Sequence, residues 1–266
     1  MERTIQKRFP VGDGSWVTVD VYGEPDAPGL VVVPGAMSDA LGWRAVATAV
    51  GAWPSVAVVN RRGRAPSGPM TAAYSLRTEV ADLGVVLDRL GGARTLFGWS
   101  YGGLIALLAA DERPLRQVIA YEPVIRPFGL DVLPDLKAAD EAADRDAVVE
   151  IVHRRIAGLD EGAVDALRAD PEVWEALRRL AAPVYVETAA LYGEPAPDSL
   201  ARRADRVDLI VGGANRGTAP YGTSFDGVAG RVPRAGIHEL PGQGHMAHLQ
   251  APAELARLLE ALAVAG

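Results

Sequence analysis

A glycine-rich segment in the middle of the chain combines residue types that could carry nucleophilic chemistry. Residues 98–102 read Gly-Trp-Ser-Tyr-Gly, so Ser100 has a glycine two positions away on either side. An apolar run precedes this segment, and the apolar run 104–110 follows it. This context predicts a sharp strand-to-helix turn, in which small neighbours let the backbone fold back and the serine hydroxyl stands above the sheet edge. Ser100 is therefore a predicted nucleophile at a helix N-terminus, where developing negative charge is favoured. The alternative is an ordinary serine in a glycine-rich turn.

A serine hydroxyl is a weak nucleophile and needs a base. The chain contains four histidines. His245 follows the last predicted strand through a Pro-Gly-Gln-Gly turn, so it is the predicted base. His248 is expected in the first turn of the next helix, where it could support or line the site. His238 lies in a predicted strand and His153 in a helical segment, and both are expected to be ordinary histidines.

The composition limits the remaining chemistry. The chain has no cysteine, which excludes disulfides, thiolate metal sites and cysteine nucleophiles. Lys and Arg number 27 against 34 Asp and Glu, and the net charge of −7 argues against binding to nucleic acid or an anionic membrane. No spacing of ligating residues predicts a metal site, and no glycine fingerprint predicts a dinucleotide cofactor. The expected partner is a small-molecule substrate.

No apolar segment approaches the ~20 residues of a membrane span, and the first residues lack the apolar core of a signal peptide. We therefore expect a soluble, cytoplasmic protein.

Arg61, Arg62 and Arg64 form the one tight basic cluster in the sequence, and it could contact an acidic substrate.

Short apolar runs that end at Gly, Pro or polar turn residues recur along the chain. A hairpin strand is predicted at 16–22, and further strands at 30–33, 56–59, 95–97, 118–121, 207–211 and 236–240. Helices are predicted at 43–50, 76–90, 102–110 and 253–264. Wholly apolar strands that alternate with helices are typical of an α/β fold, with a mostly parallel twisted sheet flanked by helices.

This alternation breaks after Pro127. Segments such as 146–156 and 171–180 have helical periodicity, and no clear strand appears before residue 205. The sequence therefore predicts a core domain in two parts, 1–126 and 205–266. A helical insertion over 127–204, which is longer than an ordinary loop, separates them.

Four segments together resemble the α/β-hydrolase superfamily. They are VVVPGAMSDALGW at 31–43, NRRGRAPSG at 60–68, GWSYGG at 98–103 and PGQGHMAHLQAP at 241–252. They are similar to the superfamily's oxyanion loop, its Arg-Gly turn after the fourth strand, its nucleophile elbow and its histidine loop. The resemblance covers most of the chain, leaves the insertion poorly matched, and implies that the insertion is a cap over the site.

The resemblance also implies an oxyanion hole made by the backbone N–H groups of Ala36 and Tyr101. Many members have His-Gly where this chain has Pro34-Gly35, and that histidine usually braces the loop. Trp99, Met37 and Met246 are candidates for an apolar substrate pocket, and the alternative for Met246 is a place in the core.

The position of the catalytic acid differs between branches of the superfamily. Many members place it after the seventh strand, but residues 212–217 contain no carboxylate, and Asn215 stands where the aspartate would be. The branch that includes haloalkane dehalogenases places it after the sixth strand, where this chain has Glu122. We therefore predict Glu122 as the acid, with Asp226 and Asp208 as weaker candidates. The alternative is a strand-end glutamate that only bonds a loop.

Serine at the elbow favours acyl transfer, because the dehalogenases and epoxide hydrolases use aspartate there. The predicted function is a serine hydrolase that cleaves a small carboxylic ester, lactone or thioester through an acyl-enzyme, with an apolar substrate favoured. One alternative is a non-hydrolytic enzyme on the same fold, such as a lyase, cyclase, acyltransferase or perhydrolase of small-molecule biosynthesis. The other is a non-catalytic ligand-binding module.

Overall fold

The computed structural model describes residues 4–27 and 29–263, and its described strands form one eight-stranded sheet. The strands are β1 (Thr4–Pro10), β2 (Trp16–Gly23), β3 (Leu30–Val33), β4 (Ser55–Asn60), β5 (Thr95–Trp99), β6 (Leu115–Tyr121), β7 (Ala204–Gly212) and β8 (Gly236–Leu240). Their order is β1-β2-β4-β3-β5-β6-β7-β8, and only the pairs β1-β2 and β2-β4 are antiparallel. The predicted mostly parallel sheet is confirmed.

Helices cover both faces of this sheet, as the sequence predicts for an α/β fold. They are α1 (Arg44–Ala49), α2 (Leu76–Arg89), α3 (Tyr101–Glu112), α4 (Leu133–Glu141), α5 (Arg145–Glu150), α6 (Glu161–Ala169), α7 (Pro171–Ala181), α8 (Val184–Ala190), α9 (Tyr221–Ala229), α10 (Ala247–Gln250) and α11 (Pro252–Leu262). Helix α5 continues into a π-helical turn, Ile151–Ile156. The last helix is predicted over 253–264, and α11 ends at Leu262. Val264 lies outside the described residues. In the part of the chain that the structure describes, no helix has the length and apolar character needed to cross a membrane.

The core explains why the central strands are wholly apolar. In β3, Val31 and Val33 join the cluster beneath α2, α3 and α9, whereas Leu30 and Val32 join the cluster beneath α1, α10 and α11. All four side chains are at most 2% exposed. Each buried side chain of this size contributes about 1.5–3 kcal/mol to folding, so both sheet faces favour β-branched and other apolar residues.

Helices α4 to α8 lie between β6 and β7 and bury an apolar cluster of their own. It includes Leu136, Val148, Val164 and Trp174. Ala204, the last residue of the predicted insertion, is the first residue of β7.

The two ends of this helical segment meet. The Tyr192 hydroxyl donates to the Phe128 carbonyl at 3.0 Å. The chain between these residues therefore leaves the sheet domain and returns to it at one place.

Candidate active site

Ser100 lies between β5 and α3 in a strained backbone conformation. Its φ of 57° and ψ of −123° are seldom adopted by an L-residue, and such a conformation costs about 1–3 kcal/mol. The surrounding backbone holds it there. The Ser100 N–H donates to the Tyr121 carbonyl at 3.0 Å, and the Ser100 carbonyl accepts from the Gly103 N–H at 2.9 Å.

The glycines around Ser100 are required by close backbone contacts. A Cβ atom at Gly102 would lie 2.0 Å from the Val33 carbonyl oxygen, and one at Gly98 would lie 2.4 Å from the Gly102 carbonyl oxygen. A Cβ atom at Gly35 would lie 2.7 Å from the Ser100 Cβ. The loop after β3 therefore passes directly beside Ser100, as an oxyanion loop must.

Glu122 and His245 form a buried hydrogen-bonded pair at the same edge of the sheet. Glu122 follows β6, which pairs with β5, and its side chain is fully buried. His245 Nδ1 lies 2.7 Å from Glu122 Oε2. The second carboxylate oxygen, Oε1, accepts from the Gly212 N–H at 2.9 Å. Glu122 thus bonds the end of β7 and the predicted base.

Asn215 occupies the turn after β7, where many superfamily members carry the acid. Its Nδ2 lies 3.0 Å from each Glu122 oxygen. The Asn215 amide therefore bonds the Glu122 carboxylate, which follows the neighbouring strand β6. The weaker acid candidates lie elsewhere. Asp208 bonds His238 Nε2 at 2.9 Å, and Asp226 lies within α9.

The described geometry agrees with a comparison of sequences. The sequence model of the alpha/beta hydrolase family matches residues 30–258. The chain belongs to the alpha/beta hydrolase family. In this chain, Glu122 follows β6 and Asn215 follows β7.

Solved structures share this alpha/beta hydrolase fold. An alpha/beta hydrolase from Sphaerobacter thermophilus DSM 20745 is 26% identical, with a TM-score of 0.77 over 96% of this chain and 99% of that chain. An esterase from Thermogutta terrifontis is 20% identical, with a TM-score of 0.70 over 97% of each chain.

One curated relative matches only in part. It is "UDP-N-acetylglucosamine--N-acetylmuramyl-(pentapeptide) pyrophosphoryl-undecaprenol N-acetylglucosamine transferase" from Novosphingobium aromaticivorans, and it is 31% identical over 152 residues. That match covers 53% of this chain and 39% of the relative, so the chain spans about two-fifths of that protein's length.

Two aromatic rings contact the imidazole of His245. The Tyr221 ring is stacked on it, with centroids 3.7 Å apart and an interplanar angle of 15°. The Trp99 ring is tilted against it at 4.6 Å, and Trp99 Nε1 donates to the His245 carbonyl at 2.8 Å. Tyr221 escaped the sequence analysis because nothing near it in the sequence marks a contact with His245.

The candidate pocket residues have different surroundings. Trp99 is buried in the apolar cluster beneath α1 and α11, where it supports His245. Met246 is half-buried against the same cluster, whereas Met37 is half-buried against the cluster of the helical insertion. Of the three, the two methionines therefore keep exposed surface beside the loops that carry His245 and Ala36.

Burial affects both histidines at the site. Burial lowers the pKa of His245, although the Glu122 carboxylate opposes this shift, so burial favours the neutral ring. His248 is stacked on Trp43 with centroids 4.4 Å apart, and burial, assisted by the neighbouring His245, lowers its pKa to about 3. His248 also contacts Trp99 at 4.5 Å, so it supports the ring that supports His245.

The basic cluster of the sequence is not available to a substrate. Arg61, Arg62 and Arg64 are each at most 2% exposed. They are paired with buried carboxylates on other elements: Glu79, Asp82 and Glu187. Contact with an acidic substrate, one of the possibilities for this cluster, is therefore not supported, and the segment's similarity to the Arg-Gly turn is the better interpretation. The residue spacing showed the charges and not their partners. Among residues 4–27 and 29–263, no group of three His, Asp or Glu side chains could hold a metal ion.

Proposed function

We propose that this alpha/beta hydrolase is a serine hydrolase that cleaves small carboxylic esters, lactones or thioesters through an acyl-enzyme. The observation that carries the proposal is the strained Ser100 at the same sheet edge as the buried Glu122–His245 pair. A nucleophile at a sharp turn and a base oriented by a carboxylate are the two requirements of acyl transfer by serine.

In the proposed reaction, Ser100 Oγ attacks the substrate carbonyl while His245 Nε2 takes the hydroxyl proton. Glu122 accepts a hydrogen bond from the Nδ1–H group, remains ionised and stabilises the imidazolium that forms. The backbone N–H groups of Ala36 and Tyr101 bind the oxyanion of the tetrahedral intermediate. Its collapse expels the alcohol or thiol, which receives the proton from His245. Water, activated by the same histidine, then releases the acid.

The helical insertion is proposed to cover this site. Ser100 is 6% exposed and His245 is 8% exposed, so little of either side chain faces solvent. Met37 supports this role for the insertion because it joins the oxyanion loop to the insertion's apolar cluster. Met37 and Met246 would then offer apolar walls, which favours an apolar acyl or leaving group.

The first test is the intact mass of the protein after treatment with a fluorophosphonate. We expect one adduct on the wild type and none on Ser100→Ala. Ser224→Ala is the matched control, because Ser224 is 8% exposed and lies in α9, and it should label like the wild type. A labelled protein would then be assayed on ester, lactone and thioester panels.

Absence of labelling on a folded wild type would contradict the proposal. It would favour a non-hydrolytic reaction or ligand binding on the same fold. Turnover by Ser100→Ala at the wild-type rate would also refute the assignment of the nucleophile.

A further inference from the structure

Four buried charged side chains form a cluster beneath the loop after β3, which we call the ionic cluster. They are Arg61, Arg64, Glu79 and Glu187, and each is at most 3% exposed. Arg61 Nη1 lies 2.6 Å from Glu79 Oε1 and 2.7 Å from Glu187 Oε1. Arg64 holds both oxygens of Glu187, at 2.6 and 2.7 Å. Glu187 lies in α8, so the cluster joins the helical insertion to the sheet domain.

Arg61 also bonds the backbone of the candidate oxyanion loop. Its Nε donates to the Pro34 carbonyl at 2.8 Å, and its Nη2 donates to the Gly35 carbonyl at 2.9 Å. The Gly35 carbonyl and the Ala36 N–H belong to one planar peptide unit. Because these groups point in opposite directions across a trans peptide, a donor that fixes the carbonyl also fixes the direction of the N–H.

The same cluster reaches the second candidate oxyanion donor. The Tyr74 hydroxyl donates to Glu79 Oε1 at 2.6 Å and lies 3.3 Å from the Tyr101 hydroxyl. The Arg61 guanidinium also lies over the Tyr101 ring, 5.1 Å from its centroid. The cluster therefore bonds the peptide unit of Ala36 directly and contacts Tyr101 through its side chain.

The charges of the cluster are maintained by their pairing. Burial alone would raise the pKa of the Glu187 carboxyl, but Arg61 and Arg64 outweigh it, and that pKa lies below its usual value. Glu187 is therefore a full negative charge against two guanidinium groups. A shift of α8 would separate these charges without water to replace the contacts, so the seating of α8 and the position of Arg61 are coupled.

We propose that Arg61 is a positioning residue of the oxyanion hole and that Glu187 makes the loop geometry depend on the seating of α8. Arg61 thereby braces the loop in a chain that has Pro34 where many superfamily members carry a bracing histidine. The inference rests on the proposed function, since it assigns a role to the loop in acyl transfer.

Arg62 provides a matched control for Arg61. It is the next residue, it is equally buried, and its Nε and Nη2 hold Asp82 at 2.6 and 2.7 Å. Its side-chain hydrogen bonds go to Asp82 and Thr71 and not to the oxyanion loop. Arg61→Lys and Arg62→Lys therefore each remove one buried guanidinium, and only the first removes the bonds to the loop carbonyls.

Kinetics of p-nitrophenyl acetate hydrolysis give the first readout. Loss of one oxyanion donor costs about 10²- to 10³-fold in kcat, so a misdirected donor in Arg61→Lys should lower kcat about 10- to 100-fold, with KM changed by less than about threefold. Affinity for phenylboronic acid, which forms a tetrahedral adduct on serine, should fall in parallel with kcat/KM. Arg62→Lys should keep kcat within about threefold of the wild type. Equal losses in the two variants would overturn the proposal.

Hydrogen–deuterium exchange of the peptide that contains Ala36 gives a readout that needs no activity. Exchange should quicken in Arg61→Lys and in Glu187→Gln, and it should match the wild type in Arg62→Lys. If Arg61→Lys fails to fold, Glu187→Gln still tests the position of Arg61, because it changes one of the two carboxylates that hold the Arg61 guanidinium. Unchanged exchange in Arg61→Lys overturns the role of Arg61, and unchanged exchange in Glu187→Gln overturns the coupling to α8. A wild type without esterase activity would refute the proposed function, whereas exchange would still decide the inference.

Discussion

Replacement of Glu122 by glutamine tests the assigned acid most directly. The carboxylate is surrounded by donors: His245 Nδ1 at 2.7 Å, the Gly212 N–H at 2.9 Å and Asn215 Nδ2 at 3.0 Å. A glutamine side chain has one acceptor oxygen and one NH2 group, so one N–H must face a donor. If the NH2 group faces His245, Nδ1 becomes the acceptor and the ring proton moves to Nε2, where it blocks the base. If the oxygen faces His245, the NH2 group faces the Gly212 N–H.

Either orientation has a cost whose size can be estimated. A histidine in the wrong tautomer, or without a carboxylate to stabilise its protonated form, lowers kcat by about 10²- to 10⁴-fold. Because a factor of ten corresponds to about 1.4 kcal/mol, this is about 3–5 kcal/mol of lost transition-state stabilisation. The donor left unsatisfied costs a further ~1–3 kcal/mol of folding stability. Glu122→Gln should therefore remain folded, with a lower midpoint of urea unfolding, and be nearly inactive.

The assay is kcat for p-nitrophenyl acetate at pH 7.5, with urea unfolding measured on the same preparations. Asp208→Asn is the matched control. Asp208 is a rival candidate for the acid, is 1% exposed and bonds a histidine, His238, at 2.9 Å. Asp208→Asn should lower stability without lowering kcat by more than about threefold. A kcat of Glu122→Gln within about tenfold of the wild type, or an equal loss in Asp208→Asn, would refute the reasoning.

Further predictions concern the rings around the site. Burial lowers the pKa of His245 below 6.5, and the base must be neutral to accept the Ser100 proton. As the pH is lowered from 7, kcat/KM should therefore fall by protonation of one group, with a midpoint below pH 6.5. A midpoint above pH 6.5 would contradict this. Tyr221→Leu should lower kcat up to about tenfold, because ring stacking contributes about 0.5–1.5 kcal/mol, whereas Tyr221→Phe should match the wild type. Equal kcat values for the two Tyr221 variants would exclude a role for the stack. The pKa of His248 is about 6.5 in the unfolded chain and about 3 in the folded protein. The unfolded chain therefore binds the proton first as the pH is lowered below 6.5, and the free energy of unfolding decreases by about 2 kcal/mol at pH 5. His248→Phe should remove this loss in urea unfolding at pH 7 and pH 5, and an unchanged pH dependence would show that other groups govern acid stability.

The elbow could be predicted because its signal is local. An apolar strand, glycines on both sides of Ser100 and an apolar helix all fall within residues 95–110. Close backbone contacts, within this range and with β3, require the two glycines. Glu122 could be proposed from its place after an apolar strand, because adjacent parallel strands bring their carboxyl ends to one edge. The bond to His245 joins residues 123 positions apart, so the pairing itself could only be inferred from chain order.

The contacts that hold the site could not be predicted in this way. Asn215 looked like the loss of an acid, because an amide in sequence does not reveal which carboxylate it faces. Arg64 and Glu187 are 123 positions apart, and nothing in either segment indicates that the charges are buried together. The direction of the Trp99 ring could not be predicted either. Trp99 ends β5 whether its ring lines a pocket or supports a histidine.

The contact between Phe128 and Tyr192 has a consequence for exchanging the helical segment of this chain. Because the helical segment departs and returns at one place, a recombination event with breakpoints near residues 128 and 192 would exchange this segment and leave every strand in register. The segment's private apolar cluster would travel with it, so the exchange exposes little core. The buried guanidinium groups of Arg61 and Arg64 would stay behind in the recipient. A replacement segment would therefore need a carboxylate at the position of Glu187 to pair with Arg61 and Arg64.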